Sequence, residues 1–273
     1  MNATIQRQYD EVIAPHYDRD PKEVTGNSLD RAGRQIRKHH LLAGAPDPLR
    51  VLDLGLGTGL FFSKLKALGI RKIQPFGLDL SPKMIASAQQ KHPDLVAEVD
   101  DAANLDAHFR DTAFDLVCTH FLTGFVPLAK LAPKVWDRLD EGGYWSIVGG
   151  TKAGFPVLQT KAQSNTLSWL FGGRTVLVDD LVCNPANRAE MEKTLAEHGF
   201  AVREVETFEP KLKFRDFQEF MDFAYRGGWL TPFIEQLGLH RTGAMSRILM
   251  NLLLFPIQDH HSIEIVLAQK VAR

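Results

Sequence analysis

The sequence predicts an α/β fold in which consecutive strand–helix–strand units build a parallel sheet. The first observation is an apolar run, Val-Leu-Asp-Leu at 51–54, followed by the alternating glycines Gly55, Gly57 and Gly59. The apolar residues at 60–62 come directly afterwards. A buried parallel strand that turns sharply into a helix has this pattern. Glycine is required in such a turn where the backbone takes a positive φ or where a ligand approaches the main chain closely.

The second observation is another apolar run that ends in an acidic residue, Asp79. Ser81 and Pro82 follow it, and they are typical of a helix N-cap and a first helical residue. Strand-like and helix-like segments then alternate up to residue 208. This alternation favours helices layered on a mostly parallel sheet.

The remaining elements follow from apolar periodicity and turn residues. Predicted strands cover 50–54, 73–79, 95–99, 114–119, 144–148, 201–208 and 262–269. Predicted helices cover 60–68, 82–91, 128–139 and 187–198. Residues 3–42 are predicted to be helical with a break near 21–27, so that the second helix of this part covers 29–42.

The glycine spacing distinguishes between two classes of cofactor. Dinucleotide-binding proteins carry G-x-G-x-x-G, whereas this chain has G-x-G-x-G with Asp53 two residues ahead. Asp79 lies about twenty residues after Gly59, where an acid at the end of a second strand can bind a ribose diol.

The Asp53–Gly59 pattern resembles motif I of the class I S-adenosylmethionine-dependent methyltransferases. The resemblance implies that S-adenosylmethionine is the cofactor and S-adenosylhomocysteine the product. It places the amino-acid half of the cofactor on Asp53, Gly55, Gly57 and Gly59, and the ribose on Asp79 with Leu80 beside it. The family commonly places a seventh, antiparallel strand last. The resemblance thus implies a Rossmann-like seven-stranded sheet, mostly parallel, with helices on both faces.

Two further segments resemble this family. Asp101-Ala102-Ala103-Asn104-Leu105 is similar to the D-A-x-x-L segment, which implies that Asp101 accepts a hydrogen bond from the adenine amino group and that Ala102 lies beside the ring. Asp100 is the alternative if the pattern is shifted by one residue. Residues 114–119 resemble motif IV, whose exit loop lies between cofactor and acceptor.

That exit loop supplies the candidate catalytic residue. Thr119 is predicted to contact the cofactor and Phe121 the substrate, and His120 is the candidate general base for an acceptor hydroxyl. Two alternatives remain for His120: it lines the pocket, or it binds the cofactor through a hydrogen bond. The loop lacks the Asn/Asp-Pro-Pro-Tyr signature of nucleic-acid amino methylation and an acidic cluster that would hold a metal. We therefore expect neither a nucleic-acid partner nor a metal.

The N-terminal part carries two Tyr-Asp pairs, at 9–10 and 17–18. A paired arrangement of this kind is familiar in small-molecule methyltransferases of this class, in which the leading helix closes over the methionine end of the cofactor. Tyr17 is thus a candidate cofactor or substrate contact. The alternative is that Tyr9 and Tyr17 are packed, partly buried aromatics.

Two insertions are predicted to form a helical cap over the core, together with residues 1–48. The core is assigned to 49–210 and 257–273, with an inserted cap segment at 149–186 and a cap or lid at 211–256. Tyr225 and Trp229 flank Gly227-Gly228, where a lid could move, and are candidate substrate contacts.

The layout is similar to that of ubiquinone/menaquinone-type methyltransferases and of the carboxyl methyltransferase that acts on malonyl carrier protein. A carboxylate acceptor would need an arginine in the pocket, and Arg174 and Arg226 are the candidates, with surface charge as the alternative for each.

Bulk composition agrees with an ordinary globular enzyme. The chain has 273 residues, a mass of 30.6 kDa, a net charge of −1 and a pI near 6.8, so no global field draws nucleic acid or an anionic membrane. Cys118 and Cys183 form neither a disulfide framework nor a metal pair. The N-terminus does not resemble a signal peptide, and no apolar run is long enough for a membrane span. We expect a soluble, cytoplasmic protein.

The expected function is transfer of the methyl group of S-adenosylmethionine to a small, largely apolar or aromatic acceptor, with oxygen favoured over nitrogen or carbon. One alternative is carboxyl methylation of an acid bound to a carrier protein. A second is a catalytically silent, S-adenosylmethionine-binding regulatory protein. A nicotinamide-dependent oxidoreductase is disfavoured by the glycine spacing and by the lack of a Tyr-x-x-x-Lys pair. The sequence leaves the acceptor and the oligomeric state open.

Overall fold

A computed structural model describes residues 2–40, 48–70, 72–163 and 182–271. Its nine strands are β1 (Leu49–Leu54), β2 (Ile73–Asp79), β3 (Val96–Val99), β4 (Phe114–His120), β5 (Leu139–Gly150), β6 (Phe200–Phe208), β7 (Lys211–Phe214), β8 (Ile257–His260) and β9 (Ile263–Lys270). Its α-helices are α1 (Asn2–Gln8), α2 (Val24–His40), α3 (Leu60–Ala67), α4 (Pro82–Lys91), α5 (Leu128–Arg138), α6 (Pro156–Ala162), α7 (Arg188–Glu197), α8 (Phe217–Met221), α9 (Thr231–Gln236) and α10 (Ala244–Leu254).

Seven of these strands form one sheet with the order β3-β2-β1-β4-β5-β9-β6. Strands β1 to β5 pair in parallel, and β9 runs antiparallel to both of its neighbours, β5 and β6. The predicted seven-stranded sheet with an antiparallel last strand is therefore confirmed. The chain reverses its direction of winding between β1 and β4, and in α/β sheets ligands bind at such a switch point.

The core lies on both faces of this sheet. Strands β1 and β4 are almost entirely buried, as parallel strands covered on both sides must be. Apolar side chains of α2 and α3 pack on one face, and those of α5 and α7 pack on the other. The helices thus hold the carboxyl ends of β1, β2 and β4 at one edge of a rigid layer.

The N-terminal helical part differs from its prediction. After α1 the chain forms a π-helical turn (Tyr9–Ile13) and a 3-10 turn (Tyr17–Arg19), and α2 begins at Val24 rather than near residue 29. The carboxylate of Asp20 accepts hydrogen bonds from the main-chain N–H groups of Thr25 (3.3 Å) and Gly26 (2.6 Å). Asp20 thus satisfies two free donors at the start of the helix, which explains its earlier start.

The insertion after β6 is bounded by a two-stranded ribbon that the sequence analysis missed. Strands β7 and β8 pair antiparallel with each other, separately from the seven-stranded sheet. Between them lie α8, a π-helical turn (Asp222–Arg226), α9, a 3-10 turn (Leu239–Arg241) and α10. Aromatic and aliphatic side chains of α8 and the π turn are buried between this insertion and the sheet. Of the predicted cap segment 149–186, residues 164–181 lie outside the described residues, and so does Arg174.

Candidate active site

Two adjoining cavities lie at the carboxyl ends of β1, β2 and β4. We call the first the glycine-loop cavity; it is lined by Ile5, Tyr9, Tyr17, Gly55, Gly57, Leu78, Asp79, Leu80, Asp101, Ala102, His120, Phe121, Leu122, Phe125 and Val126. The second, the apolar cavity, has a volume of about 230 Å³ and extends beneath the cap formed by α6, α8, α9 and α10. Four aromatic residues, Tyr9, Tyr17, Phe121 and Phe125, line both cavities.

The glycine loop has the backbone that its sequence pattern predicts. Gly55, Gly57 and Gly59 have φ values of 73°, 54° and 71°, in the left-handed region that favours glycine. A Cβ on Gly59 would lie 3.0 Å from the His92 ring, and one on Gly57 would lie 3.5 Å from the Tyr17 ring. Gly57 lines the glycine-loop cavity, whereas Gly59 begins α3 and packs against α4.

Asp79 ties the glycine loop to the end of β2. Its Oδ2 accepts a hydrogen bond from the Gly57 N–H at 2.7 Å, and its Oδ1 accepts one from the Ser81 N–H at 2.8 Å. Burial disfavours the charged carboxylate, and these two bonds only partly compensate, so the pKa of Asp79 is raised to about 6. Asp79 and Leu80 both line the glycine-loop cavity, as the predicted ribose contacts should.

Asp53 is a second buried carboxylate at the end of β1. Burial raises its pKa well above the usual range, and the negative charge of Asp79 raises it further. Its Oδ1 has no hydrogen-bond partner. No Lys or Arg of the described ranges forms an ion pair with Asp53 or Asp79. Asp53 is not among the residues that line the glycine-loop cavity, whereas Asp79 is.

The structure separates the two candidates for adenine recognition. Asp101 lines the glycine-loop cavity with Ala102, and its carboxylate accepts from the Ala103 N–H at 2.8 Å. Asp100 instead accepts hydrogen bonds from Asn104 Nδ2 and His108 Nε2, each at 2.8 Å, and the His108 bond is the main cause of its lowered pKa. Asp100 is not among the residues that line the cavity. The geometry therefore favours Asp101 for the predicted contact.

His120 ends β4 and lines the glycine-loop cavity but not the apolar cavity. Its Nε2 lies 3.1 Å from Ser146 Oγ, and its ring packs edge-on against Phe61 with the ring centroids 4.2 Å apart. Burial lowers its pKa to about 3, so the imidazole is neutral at physiological pH. The buried Nδ1 has no partner, which leaves it free for a ligand.

The side chain of Thr119 does not line either cavity. Its hydroxyl accepts a hydrogen bond from Trp145 Nε1 at 3.0 Å, on the face of the sheet opposite His120, because successive strand residues point to opposite faces. A cofactor contact through this residue, as predicted from the resemblance, would have to use its main chain.

In both Tyr-Asp pairs of the N-terminal part, the tyrosine lines a cavity and the aspartate bonds to a loop of the core. Tyr9 and Tyr17 line the cavities. Asp10 accepts a hydrogen bond from Ser81 Oγ at 2.5 Å, and Asp18 accepts one from Thr58 Oγ1 at 2.6 Å. Each aspartate thus fastens the N-terminal segment to a loop that follows one of the two acid-terminated strands.

The wall of the apolar cavity contains many aromatic side chains and includes two of the three predicted substrate contacts. Phe121 and Trp229 lie edge to face with centroids 5.0 Å apart. Phe121 and Phe155 both have positive φ values, 58° and 57°, which are costly for bulky residues. Strained residues of this kind concentrate at ligand sites, and both of these line the cavity.

Tyr225, the third predicted substrate contact, lies outside both cavities. Its hydroxyl donates a hydrogen bond to Glu235 at 3.1 Å, and its ring stacks on His240 with centroids 5.6 Å apart. Arg226 forms an ion pair with Asp222 on an exposed surface and does not line the apolar cavity. Arg226 is therefore a surface charge in this structure.

His261 lines the apolar cavity and was missed by the sequence analysis. Its ring stacks on Phe155 with centroids 4.3 Å apart, and its buried Nδ1 has no hydrogen-bond partner. Burial is the main cause of a pKa lowered to about 3. Gly150 and Gly154 make room for it, since a Cβ on either would lie within 2.8 Å of the ring. The sequence feature that could have pointed to His261 is its place just before the last strand, together with the glycines at 150 and 154.

The described residues contain no group of three or more His, Cys, Asp or Glu side chains arranged to hold a metal ion. None of the helices in this part of the chain is long and apolar enough to cross a membrane.

Part of the chain matches a known protein family, and its fold is similar to that of several solved structures. Residues 51–143 match the family model of the methyltransferase domain. No curated protein matches the sequence. The YcgJ protein from Bacillus subtilis is 18% identical, with a TM-score of 0.59 over 91% of this chain and 100% of that one. A Bacillus halodurans protein assigned as a methyltransferase is 15% identical, with a TM-score of 0.56 over 88% of this chain and 100% of that one.

A third structure is phosphoethanolamine N-methyltransferase 2 of Haemonchus contortus in complex with phosphomonomethylethanolamine and S-adenosylhomocysteine. It is 18% identical, with a TM-score of 0.50 over 89% of this chain and 53% of that one. At these identities the likeness concerns the fold. The matched segment, which contains the glycine loop, Asp79, Asp101 and His120, identifies a methyltransferase domain in this part of the chain.

Proposed function

We propose that the protein transfers the methyl group of S-adenosylmethionine to a small, largely apolar or aromatic acceptor held in the apolar cavity, with oxygen as the favoured nucleophile. The observation that carries this proposal is the shared wall of the two cavities. Tyr9, Tyr17, Phe121 and Phe125 line both of them. Ligands that occupy the two cavities would therefore meet at these side chains.

The residues of the glycine-loop cavity fit the proposed cofactor. The ionised Asp79 would accept hydrogen bonds from the ribose hydroxyls. Asp101 would accept one from the adenine amino group. When bound, S-adenosylmethionine supplies a methyl group made electrophilic by the adjacent sulfonium. The protein's own contribution is then to orient the acceptor and to exclude water.

His120 is proposed as the group that receives the proton of an acceptor hydroxyl that extends from the apolar cavity into the glycine-loop cavity, which His120 lines. Its Nδ1 is unpaired and its imidazole is neutral, as a base must be. Burial lowers its pKa to about 3, which makes it a weak base, so we propose that alignment of the acceptor is the protein's larger contribution.

The apolar cavity also helps to choose between methyl transfer to a small acceptor and the two alternatives, a silent cofactor-binding protein and a carboxyl methyltransferase. An open aromatic cavity next to the cofactor site favours an enzyme over a silent cofactor-binding protein. Methylation of a carrier-bound carboxylate gains no support from Arg226, which pairs with Asp222 away from the cavity, although Lys161 is among the residues that line it.

The test combines binding with product detection. Calorimetry should show binding of S-adenosylmethionine and S-adenosylhomocysteine, and a metabolite extract incubated with protein and methyl-labelled cofactor should yield a labelled product by mass spectrometry. Binding without a labelled product from several extracts would support the silent protein instead. Absence of binding at millimolar cofactor would overturn the proposal.

A further inference from the structure

Helix α10 presents an apolar face to solvent. Eight large apolar side chains of the described residues are exposed, and five of them lie on this one helix of 11 residues. These five are 41% to 79% exposed: Met245, Ile248, Leu249, Leu252 and Leu253. Their spacing of three, four and seven residues places them side by side on the helix surface. Contiguous patches of this kind on a protein surface mark interaction sites.

The opposite face of α10 anchors the helix to the cap. Met250 and Leu254 line the apolar cavity, and Asn251 Oδ1 accepts a hydrogen bond from the Phe217 N–H at 2.7 Å. The exposed face is therefore not needed to hold the helix in place. The helix separates the acceptor site from the exposed patch by its own thickness.

The charged side chains of the sequence segment that carries α10 are basic. Residues 236–258 contain Arg241 and Arg247 but no aspartate or glutamate. Both arginines are exposed, and neither forms a salt bridge in the part of the chain that the structure describes. The Nε of Arg247 donates to the Thr242 carbonyl at 2.9 Å, which leaves its terminal nitrogens free for another partner. An aliphatic patch flanked by unpaired arginines complements an apolar layer edged with anionic groups.

We propose that α10 docks onto the surface of a lipid bilayer that contains anionic lipids, with its five apolar side chains among the acyl chains and Arg241 and Arg247 at the headgroups. A bilayer fits this face because helices with an aliphatic face and arginines beside it bind the interface of anionic membranes. The helix is too short to cross, since 11 residues extend only about 16 Å against a hydrocarbon core of about 30 Å.

Docking would place the acceptor cavity next to the bilayer. Met250 and Leu254 line that cavity from the inner face of the docked helix, so an apolar acceptor dissolved in the membrane would have a short path to it. This link to the acceptor rests on the proposed function, whereas the docking itself does not.

The test is co-sedimentation of the full chain with vesicles of phosphatidylcholine mixed with phosphatidylglycerol and with vesicles of phosphatidylcholine alone. The wild type should bind the mixed vesicles more tightly. Leu252→Glu should weaken this binding by about tenfold or more, because a carboxylate replaces an acyl-chain contact and repels anionic headgroups. Val96→Glu, at a 48% exposed position on β3, is the matched control and should bind like the wild type.

Other outcomes would overturn the proposal. One is a wild type that binds neither kind of vesicle, and another is an equal loss of vesicle binding in Leu252→Glu and Val96→Glu. A third is a dimer in size-exclusion chromatography that Leu252→Glu dissociates, because the patch would then be a contact between two copies of the chain. Calorimetry with S-adenosylhomocysteine separates the two proposals. Retained binding in Leu252→Glu shows an intact fold, and vesicle binding without cofactor binding would refute the proposed function alone.

Discussion

The main-chain N–H of Gly57 donates a hydrogen bond of 2.7 Å to Oδ2 of Asp79, which joins the loop after β1 to the end of β2. Both residues line the glycine-loop cavity, so the carboxylate proposed to bind a ribose also holds the loop proposed to bind the amino-acid half of the cofactor. This hydrogen bond is strongest when the buried carboxylate is ionised.

The first prediction concerns stability against pH. Burial raises the pKa of Asp79 to about 6 from 3.8, so the folded protein holds a proton that the unfolded chain has lost between about pH 4 and pH 6. The contribution of Asp79 to the free energy of unfolding should fall as pH rises through this window, by on the order of 3 kcal/mol. Asp79→Asn should lack this part of the slope in urea unfolding at pH 4, 5 and 6. An identical slope in both proteins would contradict the assignment.

The second prediction concerns cofactor affinity against pH. A ribose hydroxyl donates more strongly to an ionised carboxylate, so the affinity for S-adenosylhomocysteine should decrease as pH is lowered through about 6. The decrease should approach tenfold per pH unit below that value. Calorimetry in buffers of different ionisation enthalpy should also show proton release on binding near pH 6. A flat affinity between pH 5 and pH 7 would show that Asp79 does not change its charge on binding.

The third prediction concerns the glycine loop. Gly59→Ala should destabilise the fold by about 1–3 kcal/mol, because alanine is strained at a φ of 71° and its Cβ would lie 3.0 Å from His92 and 3.1 Å from Ala88. Gly243→Ala is a matched control, with a φ of −71° and no atom within 4 Å of the added Cβ. Thermal unfolding of the two variants measures the difference. Equal melting temperatures would show that the loop tolerates a side chain.

The fourth prediction separates the two candidate residues of the cap. Tyr225→Phe should lose its hydrogen bond to Glu235, at a cost of about 1 kcal/mol, and leave methyl transfer unchanged, because Tyr225 lies outside the apolar cavity. Trp229→Phe should reduce transfer, since Trp229 forms the cavity wall between Phe121 and His261. The yield of labelled product from a common extract compares them. A larger loss in Tyr225→Phe would reverse this assignment.

The sequence predicted correctly those helices and strands whose ends are set by residues next to them in the chain. Helix α4 covers the predicted residues because Ser81 caps it, accepting a hydrogen bond from the Met84 N–H at 3.1 Å, and Pro82 begins it. Strand β2 likewise has its predicted bounds, since an apolar run ends at Asp79. The left-handed conformation of the glycines was predictable from their spacing alone.

The features that the sequence did not predict depend on contacts between residues that are far apart in the chain. Strands β7 and β8 pair across more than forty intervening residues, and no local periodicity shows such a pairing. Tyr225 and Trp229 were equivalent in the sequence, but Tyr225 lies in the π-helical turn and bonds to Glu235, whereas Trp229 lies in the bend that follows and packs on Phe121 at the cavity. His261 reaches the cavity because it stacks on Phe155, a residue more than one hundred positions earlier in the chain.

The central claim is that the glycine loop and Asp79 together bind S-adenosylmethionine. Calorimetric titration of this cofactor into the wild type and Asp79→Ala at neutral pH tests it most directly, with circular dichroism to confirm that the variant is folded. We expect saturable binding to the wild type and a loss of at least tenfold in a folded Asp79→Ala protein. No heat of binding to the wild type at millimolar cofactor, or equal affinity in the two proteins, would contradict the claim.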